Sequence, residues 1–260
     1  METKNWQLPE YESYEIRQRK SKYCVCIPVI NEGLKLKIQL QRMEDILSNI
    51  DVIIADGGSS DGSTDLEYLK SVGVRTLLVK TGKGKLSAQL RMAFAYAMVE
   101  GYEGVITVDG NNKDGVNDID SFVNALENGY DFVQGSRFVL GGKAINTPKS
   151  RYLAIRLIHA PIISLIAMHR YTDTTNGYRG MSKRLIIDPA VSVFRDIFQT
   201  YELLAYLSVR SARLGYKVTE IPVVREYPIN GKIPTKISPI KGNLLILKIL
   251  WRLSRGFYNP

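Results

Sequence analysis

Asp51-Val52-Ile53-Ile54-Ala55-Asp56-Gly57-Gly58-Ser59-Ser60-Asp61-Gly62-Ser63 decides the fold. Four apolar residues, two of them β-branched isoleucines, run into an acid and then a cluster of Gly, Ser and Asp, which reads as a short buried strand ending in a tight turn. The same event occurs on either side. Upstream, Tyr23 to Pro28 leads into Asn31-Glu32; downstream, Val105 to Val108 leads into Asp109-Gly110-Asn111. Further β-rich runs cover Arg75 to Val79 and Asp131 to Gln134, mostly with helix-length segments between them. This alternation predicts an α/β fold, and ligands of such sheets bind outside the carboxyl ends of the strands. Polar residues placed repeatedly at that edge therefore predict one assembled site.

The intervening segments carry helical stripes: Leu36, Leu40, Met43 and Leu47; Leu86, Leu90, Phe94 and Ala97; and Ile119, Phe122, Val123 and Leu126, closed by Gly129. These predict core-facing helices. After Gln134 the pattern changes, with Gly135-Ser136-Arg137, a Gly141-Gly142 turn and an amphipathic segment from Ser150 to about His169. A second helix is expected over about Tyr201 to Leu214, then a strand around Val218 to Val223. The expected division is an extension over 1–21, a first half over 22–134, a second half over 135–227, and a loop with a basic amphipathic tail over 228–260.

At 260 residues and 45% hydrophobic content the chain has ample material for a core. A net charge of +9 fits either a solvated basic surface or attraction to phosphate-bearing partners or an anionic membrane face. Nucleic acid is not expected, because the basic residues are dispersed and no binding signature is present. Cys24 and Cys26 alternate about Val25 in a strand, so both thiols are expected on one buried face in a reducing compartment. Residues 1–20 are polar, so no signal peptide is expected. The longest uncharged apolar stretch, Leu157 to Met168, is shorter than a bilayer span and includes His159 and Pro161, so no membrane-crossing helix is expected. The tail from Asn243 to Arg255 alternates Leu, Ile and Trp251 with Lys248, Arg252 and Arg255. Two readings stand: a helix lying in a membrane interface, or one packed on the domain.

The ordered motifs resemble family 2 glycosyltransferases of the GT-A fold, whose pattern runs approximately P-x-x-N-E, D-D-x-S-x-D-G-T and D-x-D. The resemblance spans about Lys22 to Arg225. It implies a Rossmann-like α/β fold with a predominantly parallel or mixed central sheet and a nucleoside-diphosphate sugar donor. Pro28, Asn31 and Glu32 would flank the nucleotide, Asp56 would contact the nucleoside, and Lys83 or Lys85 in Gly82-Lys83-Gly84-Lys85 would neutralise the diphosphate. Asp109 aligns with the segment that holds Mg²⁺ or Mn²⁺, with Asn111 in place of the second acid and Asp114 as a substitute ligand. An amide oxygen is still a hard ligand. Lys113, where many relatives carry Gln, is a cation able to replace part of the metal's charge. Position 57 is Gly where many members have a second acid.

The second half looks like that of dolichyl- or polyprenyl-phosphate hexosyltransferases, which implies a polyprenyl-phosphate or glycolipid acceptor and peripheral contact with the cytoplasmic, inner membrane face. Arg137 and Arg151 would face the acceptor phosphate, since guanidinium binds phosphate oxygens bidentately. For the catalytic residues the expectation is Asp173, then Glu202, as a base if the acceptor is a hydroxyl, with Arg179 closing the Asp173-x-x-x-Gly177-Tyr178-Arg179 motif. An equal reading has Asp173 only holding Arg179 or a loop; transfer to a phosphate needs no base. The resemblance implies inversion by single displacement. Two alternatives remain, a transferase acting on a sugar hydroxyl in polysaccharide or glycolipid synthesis, and a non-catalytic relative acting as a binding or membrane-complex subunit. The missing G-x-G-x-x-G segment argues against a dehydrogenase, and the first strand's Pro28 to Glu32 ending argues against a nucleotidyltransferase.

Overall fold

A computed structural model describes residues 5–229 and 241–260. Its ten strands are β1 Tyr11–Glu15, β2 Tyr23–Val29, β3 Asp51–Asp56, β4 Thr76–Lys80, β5 Gly104–Thr107, β6 Phe132–Ser136, β7 Lys143–Ile145, β8 Arg179–Ser182, β9 Val218–Pro222 and β10 Val224–Glu226. Eight form one sheet in the order β1-β4-β3-β2-β5-β8-β6-β9, and β7 pairs with β10 in a small second sheet. Strands β2 to β5 are mutually parallel, whereas β8 runs antiparallel between β5 and β6. The expected mixed α/β sheet is therefore present.

Each central strand is apolar on both faces because helices cover both. One face packs on helices Leu86–Val99, Ala160–Ala167, Glu202–Arg213 and Lys241–Ser254. The other packs on Leu34–Arg42, Glu44–Asn49 and Ile119–Glu127. Ser87 to Met98 are buried all round, since their helix lies between the sheet and the helix Glu202–Arg213. Burying so much apolar surface at about 25 cal/mol per Å² is the main term holding the layers together. Cys24 and Cys26 lie in this core as free, fully buried thiols.

Three features add detail to these expectations. Within the extension expected over 1–21, the described residues join the domain: β1 pairs antiparallel with β4, and the buried Asp51 carboxylate accepts from the Lys20 and Ser21 amides at 2.9 and 3.1 Å. The division near residue 135 falls inside β6, whose neighbours β8 and β9 complete the same sheet. Helix also runs unbroken from Lys149 to Ala167, 19 residues with a mean hydropathy of 1.3, so by length and composition one helix does reach a bilayer span. The uncharged stretch Leu157 to Met168 is the later part of the amphipathic segment expected from Ser150 to about His169; the earlier turns of the helix carry Lys149, Arg151 and Arg156. A π-type turn at Ile155–His159 precedes Pro161 and accommodates a residue lacking an amide hydrogen. Ile155, Ala160, Ile163 and Ala167 of this helix are in the core. Of the loop and tail expected over 228–260, residues 230–240 lie outside the described residues, and the tail forms the helix Lys241–Ser254.

Candidate active site

Because β2, β3, β4 and β5 are parallel, Asn31-Glu32, Asp56 to Ser63, Gly82 to Lys85 and Asp109 to Asn111 emerge at one edge. The antiparallel β8 brings Asp173 to Arg179 to that edge from the opposite direction, and β6 delivers Arg137. These strand pairings thus assemble residues as far apart in the chain as Asn31 and Arg179.

The first wall is a hydrogen-bonded turn. The buried Asp56 carboxylate accepts from the Ser59 amide at 2.9 Å, the Ser59 hydroxyl at 2.6 Å and the Thr64 hydroxyl at 3.1 Å. Asn31, at φ 48°, accepts from the Ser60 amide at 2.8 Å; asparagine tolerates this left-handed backbone better than most residues. Pro28 is half-buried in β2, and Glu32 lies 3.5 Å from Lys35. Gly57 is explained by Gln89: a Cβ at 57 would stand 3.0 Å from its amide nitrogen, which already donates to the Val29 and Ala55 carbonyls. Lys83 and Lys85 are exposed on the loop before the helix Leu86–Val99, and the Lys85 amide donates to the Gln199 carbonyl at 2.7 Å.

The acidic centre is built around a residue absent from the motif reading. Arg225, on β10, donates through Nη2 to Asp109 at 2.9 Å and through Nη1 to both Asp114 oxygens at 2.6 and 2.8 Å. Burial works against ionisation of Asp109, but Arg225, then Lys113 and Asn111, outweigh it and hold its carboxyl below the ordinary range. Asp114 is enclosed, and loss of solvent pushes it up to about 6 against the pull of Arg225. Asp114 is thus committed to Arg225 rather than turned outward as a metal ligand. Asn111 donates to Asp109 at 3.3 Å while its Oδ1 is buried without a hydrogen-bond partner. An orphaned amide oxygen beside a carboxylate is a hard donor pair of the type that Mg²⁺ or Mn²⁺ takes when diphosphate and water complete the shell. Asp109 and Asn111 therefore fit the metal; among the described residues no group of three or more His, Cys, Asp or Glu is arranged to hold an ion.

Gly177 makes room for this centre, since a Cβ there would stand 2.6 Å from Asp109 Oδ1. Gly177→Ala is expected to displace Asp109 and lower kcat/KM by about 10- to 100-fold, as misplacement near 1 Å does, with little change in Tm. Steady-state kinetics and thermal melts of the one variant check both.

Arg137 and Asp173 form a bidentate ion pair, Nε to Oδ2 at 2.6 Å and Nη2 to Oδ1 at 2.9 Å, with side chains 2% and 0% exposed. Burial opposes ionisation of Asp173, yet the Arg137 hydrogen bonds and charge hold its carboxyl low. Arg179 donates to the main-chain carbonyls of Asn176 at 3.1 Å, Thr174 at 2.8 Å and Leu204, turned into the core rather than the cleft. Loss of solvent pushes its guanidinium down to about 10. Glu202 accepts from the Thr200 amide and hydroxyl, both at 2.6 Å, at the start of its helix. Arg151, in contrast, is half-exposed. It donates to the Tyr227 hydroxyl at 3.0 Å, and the Lys113 ammonium lies 5.0 Å from the centre of the same ring. Burial alone would raise the Tyr227 phenol, but Arg225 and Arg151 bring it below its ordinary value.

A mixed α/β sheet with a Gly-, Ser- and Asp-rich turn after β3, an acid and amide after β5, and Arg151, Lys113 and Arg225 gathered around Tyr227 has the arrangement of a GT-A glycosyltransferase. The chain belongs to the glycosyl transferase family 2, whose model matches residues 24–201. It is 27% identical over 201 residues to an undecaprenyl-phosphate mannosyltransferase of Micrococcus luteus, covering 76% of this chain and 80% of that protein. It is 23% identical over 202 residues to a polyprenol monophosphomannose synthase of Mycolicibacterium smegmatis, covering 76% and 75%. In fold it resembles the crystal structure of glucosyl-3-phosphoglycerate synthase from Mycobacterium tuberculosis in complex with Mn²⁺, uridine diphosphate and phosphoglyceric acid, with a TM-score of 0.58 and 14% identity over 90% of this chain and 75% of that one. The protein is a glycosyltransferase.

Proposed function

We propose that this glycosyltransferase moves a hexose, with inversion, from a nucleoside-diphosphate sugar to a polyprenyl phosphate at the cytoplasmic membrane face. The observation that carries the reading is the position of Arg151. It joins Lys113 and Arg225 around Tyr227, and it sits in the first turn of the helix Lys149–Ala167, whose following turns expose Leu153, Leu157 and Ile158. A ligand with its phosphate at Arg151 and an isoprenoid chain along those leucines matches both surfaces. Leu165 and Trp251, 81% and 64% exposed, rim an apolar groove of about 290 Å³ between this helix and Lys241–Ser254, and support peripheral seating in the headgroup region. The tail helix also buries Ile249, Leu250 and Leu253 on the domain, which supports the packed reading, while exposed Leu244, Leu247 and Trp251 leave an apolar edge for the interface reading.

In the reaction, an oxygen lone pair of the ionised acceptor phosphate forms the bond to the sugar C1 as the bond from C1 to the donor diphosphate breaks, and the nucleoside diphosphate departs with that electron pair. No proton is removed, which suits an Asp173 locked to Arg137 rather than poised as a base. Arg179 and Glu202 then act as positioning residues for the loop over 173–178 and for the 199–202 segment. A divalent ion held by Asp109 and Asn111 would neutralise the leaving diphosphate. Lys83 and Lys85 would meet the same phosphates from the opposite side.

The test pairs a screen of UDP-, GDP-, CDP- and dTDP-sugars with a short polyprenyl phosphate or a sugar hydroxyl acceptor. Arg151→Ala is expected to raise KM for the polyprenyl phosphate about 10- to 100-fold, the size of one charge-assisted hydrogen bond, and to leave donor KM near wild type. Absence of any lipid-phosphate product with every donor overturns the reading.

A further inference from the structure

We infer that Arg225 is the resident counter-cation of the acidic centre, so that the free protein holds a divalent cation weakly and takes one up together with the donor diphosphate. The inference rests on the donor-site reading above. Its first support is the closeness of one guanidinium to three carboxylate oxygens, all within 2.6 to 2.9 Å, in a side chain only 8% exposed. The second is its backbone: Arg225 forms a bridge with Asp114, and the Glu226 amide donates to the Lys113 carbonyl at 2.8 Å, so the strand that carries the cation is fastened to the loop that carries the acid. The third is the charge balance. Asp109 and Asp114 bring two negative charges, Arg225 and Lys113 two positive ones, and Asn111 none.

A divalent ion approaching Asp109 therefore meets a neutral centre and a fixed guanidinium on the same carboxylate. Two cations within a few ångströms repel strongly in a half-buried site, where the effective dielectric is far below that of water. A nucleoside diphosphate reverses this balance by bringing its own negative charge. Nη1 stays anchored on Asp114 while Nη2 alone competes for Asp109, so the exchange needs a small movement rather than refolding. Arg225 is a positioning residue in this scheme: it sets the order in which metal and donor are held.

Mn²⁺ binding followed by electron paramagnetic resonance tests this without turnover. With Mn²⁺ alone, Arg225→Gln is expected to bind the ion at least tenfold more tightly than wild type, and Lys113→Gln, which leaves the Arg225–Asp114 pair intact, about threefold more tightly. Adding UDP or GDP is expected to tighten Mn²⁺ binding more than tenfold in wild type and by less in Arg225→Gln. Should Arg225→Gln not fold, Lys113→Gln and the nucleotide dependence of wild type decide. Unchanged or weaker Mn²⁺ affinity in the folded variants overturns the inference. Failure of all four nucleoside diphosphates to bind wild type overturns the donor-site reading instead, a result separate from the Mn²⁺-only comparison.

Discussion

Arg137→Ala is expected to destabilise the protein by about 3–5 kcal/mol, because it leaves the Asp173 carboxylate buried and uncompensated. Asp173 is fully enclosed and its oxygens are met by Arg137 Nε and Nη2 and by the Arg137 and Thr175 amides. Removing the cation deletes the strongest of these contacts and most of the charge compensation. In a chain of this size the corresponding loss in Tm is about 6–20 °C. Asp173→Ala strands the guanidinium in the same way, so the two single variants should each cost several kcal/mol. The double variant Arg137→Met, Asp173→Leu should cost clearly less than their sum, since no buried charge remains. Urea denaturation of the four proteins measures the coupling. A loss below 1 kcal/mol for Arg137→Ala would show that water reaches Asp173 and that the pair does not fasten the end of β6 to the segment over 173–178.

How far the sequence revealed this arrangement depends on the kind of signal each part carries. β2, β3, β4, β5 and β6 were legible because central parallel strands are apolar throughout and stop at glycine-rich turns. β1 was not, since Tyr11–Glu15 is an exposed edge strand that contributes backbone pairing to β4 rather than an apolar run. The helix Lys149–Ala167 was foreseen in extent, but its π-type turn depends on how Pro161 is accommodated, which no periodicity encodes. Asp56, Asp109 and Asn111 were found because each follows a strand end. Arg225 lies 116 residues after Asp109 in a Val-rich run resembling an ordinary strand, and nothing local distinguishes it. Only the pairing of β10 with β7 and the bridge to Asp114 bring it to the acids. The same distance effect explains Asp173 and Arg137: both were singled out, but their mutual ion pair depends on β6 and β8 being neighbours.

Asp109→Asn should lower kcat/KM for transfer by at least about 10³-fold, equivalent to about 4 kcal/mol of transition-state stabilisation, while retaining the fold. The substitution keeps size and shape, so the neighbouring Gly177 still clears the side chain and Arg225 keeps its two contacts with Asp114. It removes the carboxylate charge that accepts from both the Asn111 Nδ2 and the Arg225 Nη2, on the residue next but one to the orphaned Asn111 oxygen. On the proposed reading the leaving diphosphate would lose the negative anchor for its counter-ion, leaving the charge developing on it to Lys83, Lys85, Lys113 and Arg225. Because this loss acts as the bond to C1 breaks, it should fall mainly on kcat, with a smaller change in donor KM. Single-turnover transfer with saturating donor separates the two. A variant that retains more than a tenth of wild-type turnover, in EDTA and in Mn²⁺ alike, would show that the basic side chains carry the leaving group by themselves and would remove Asp109 from the chemistry.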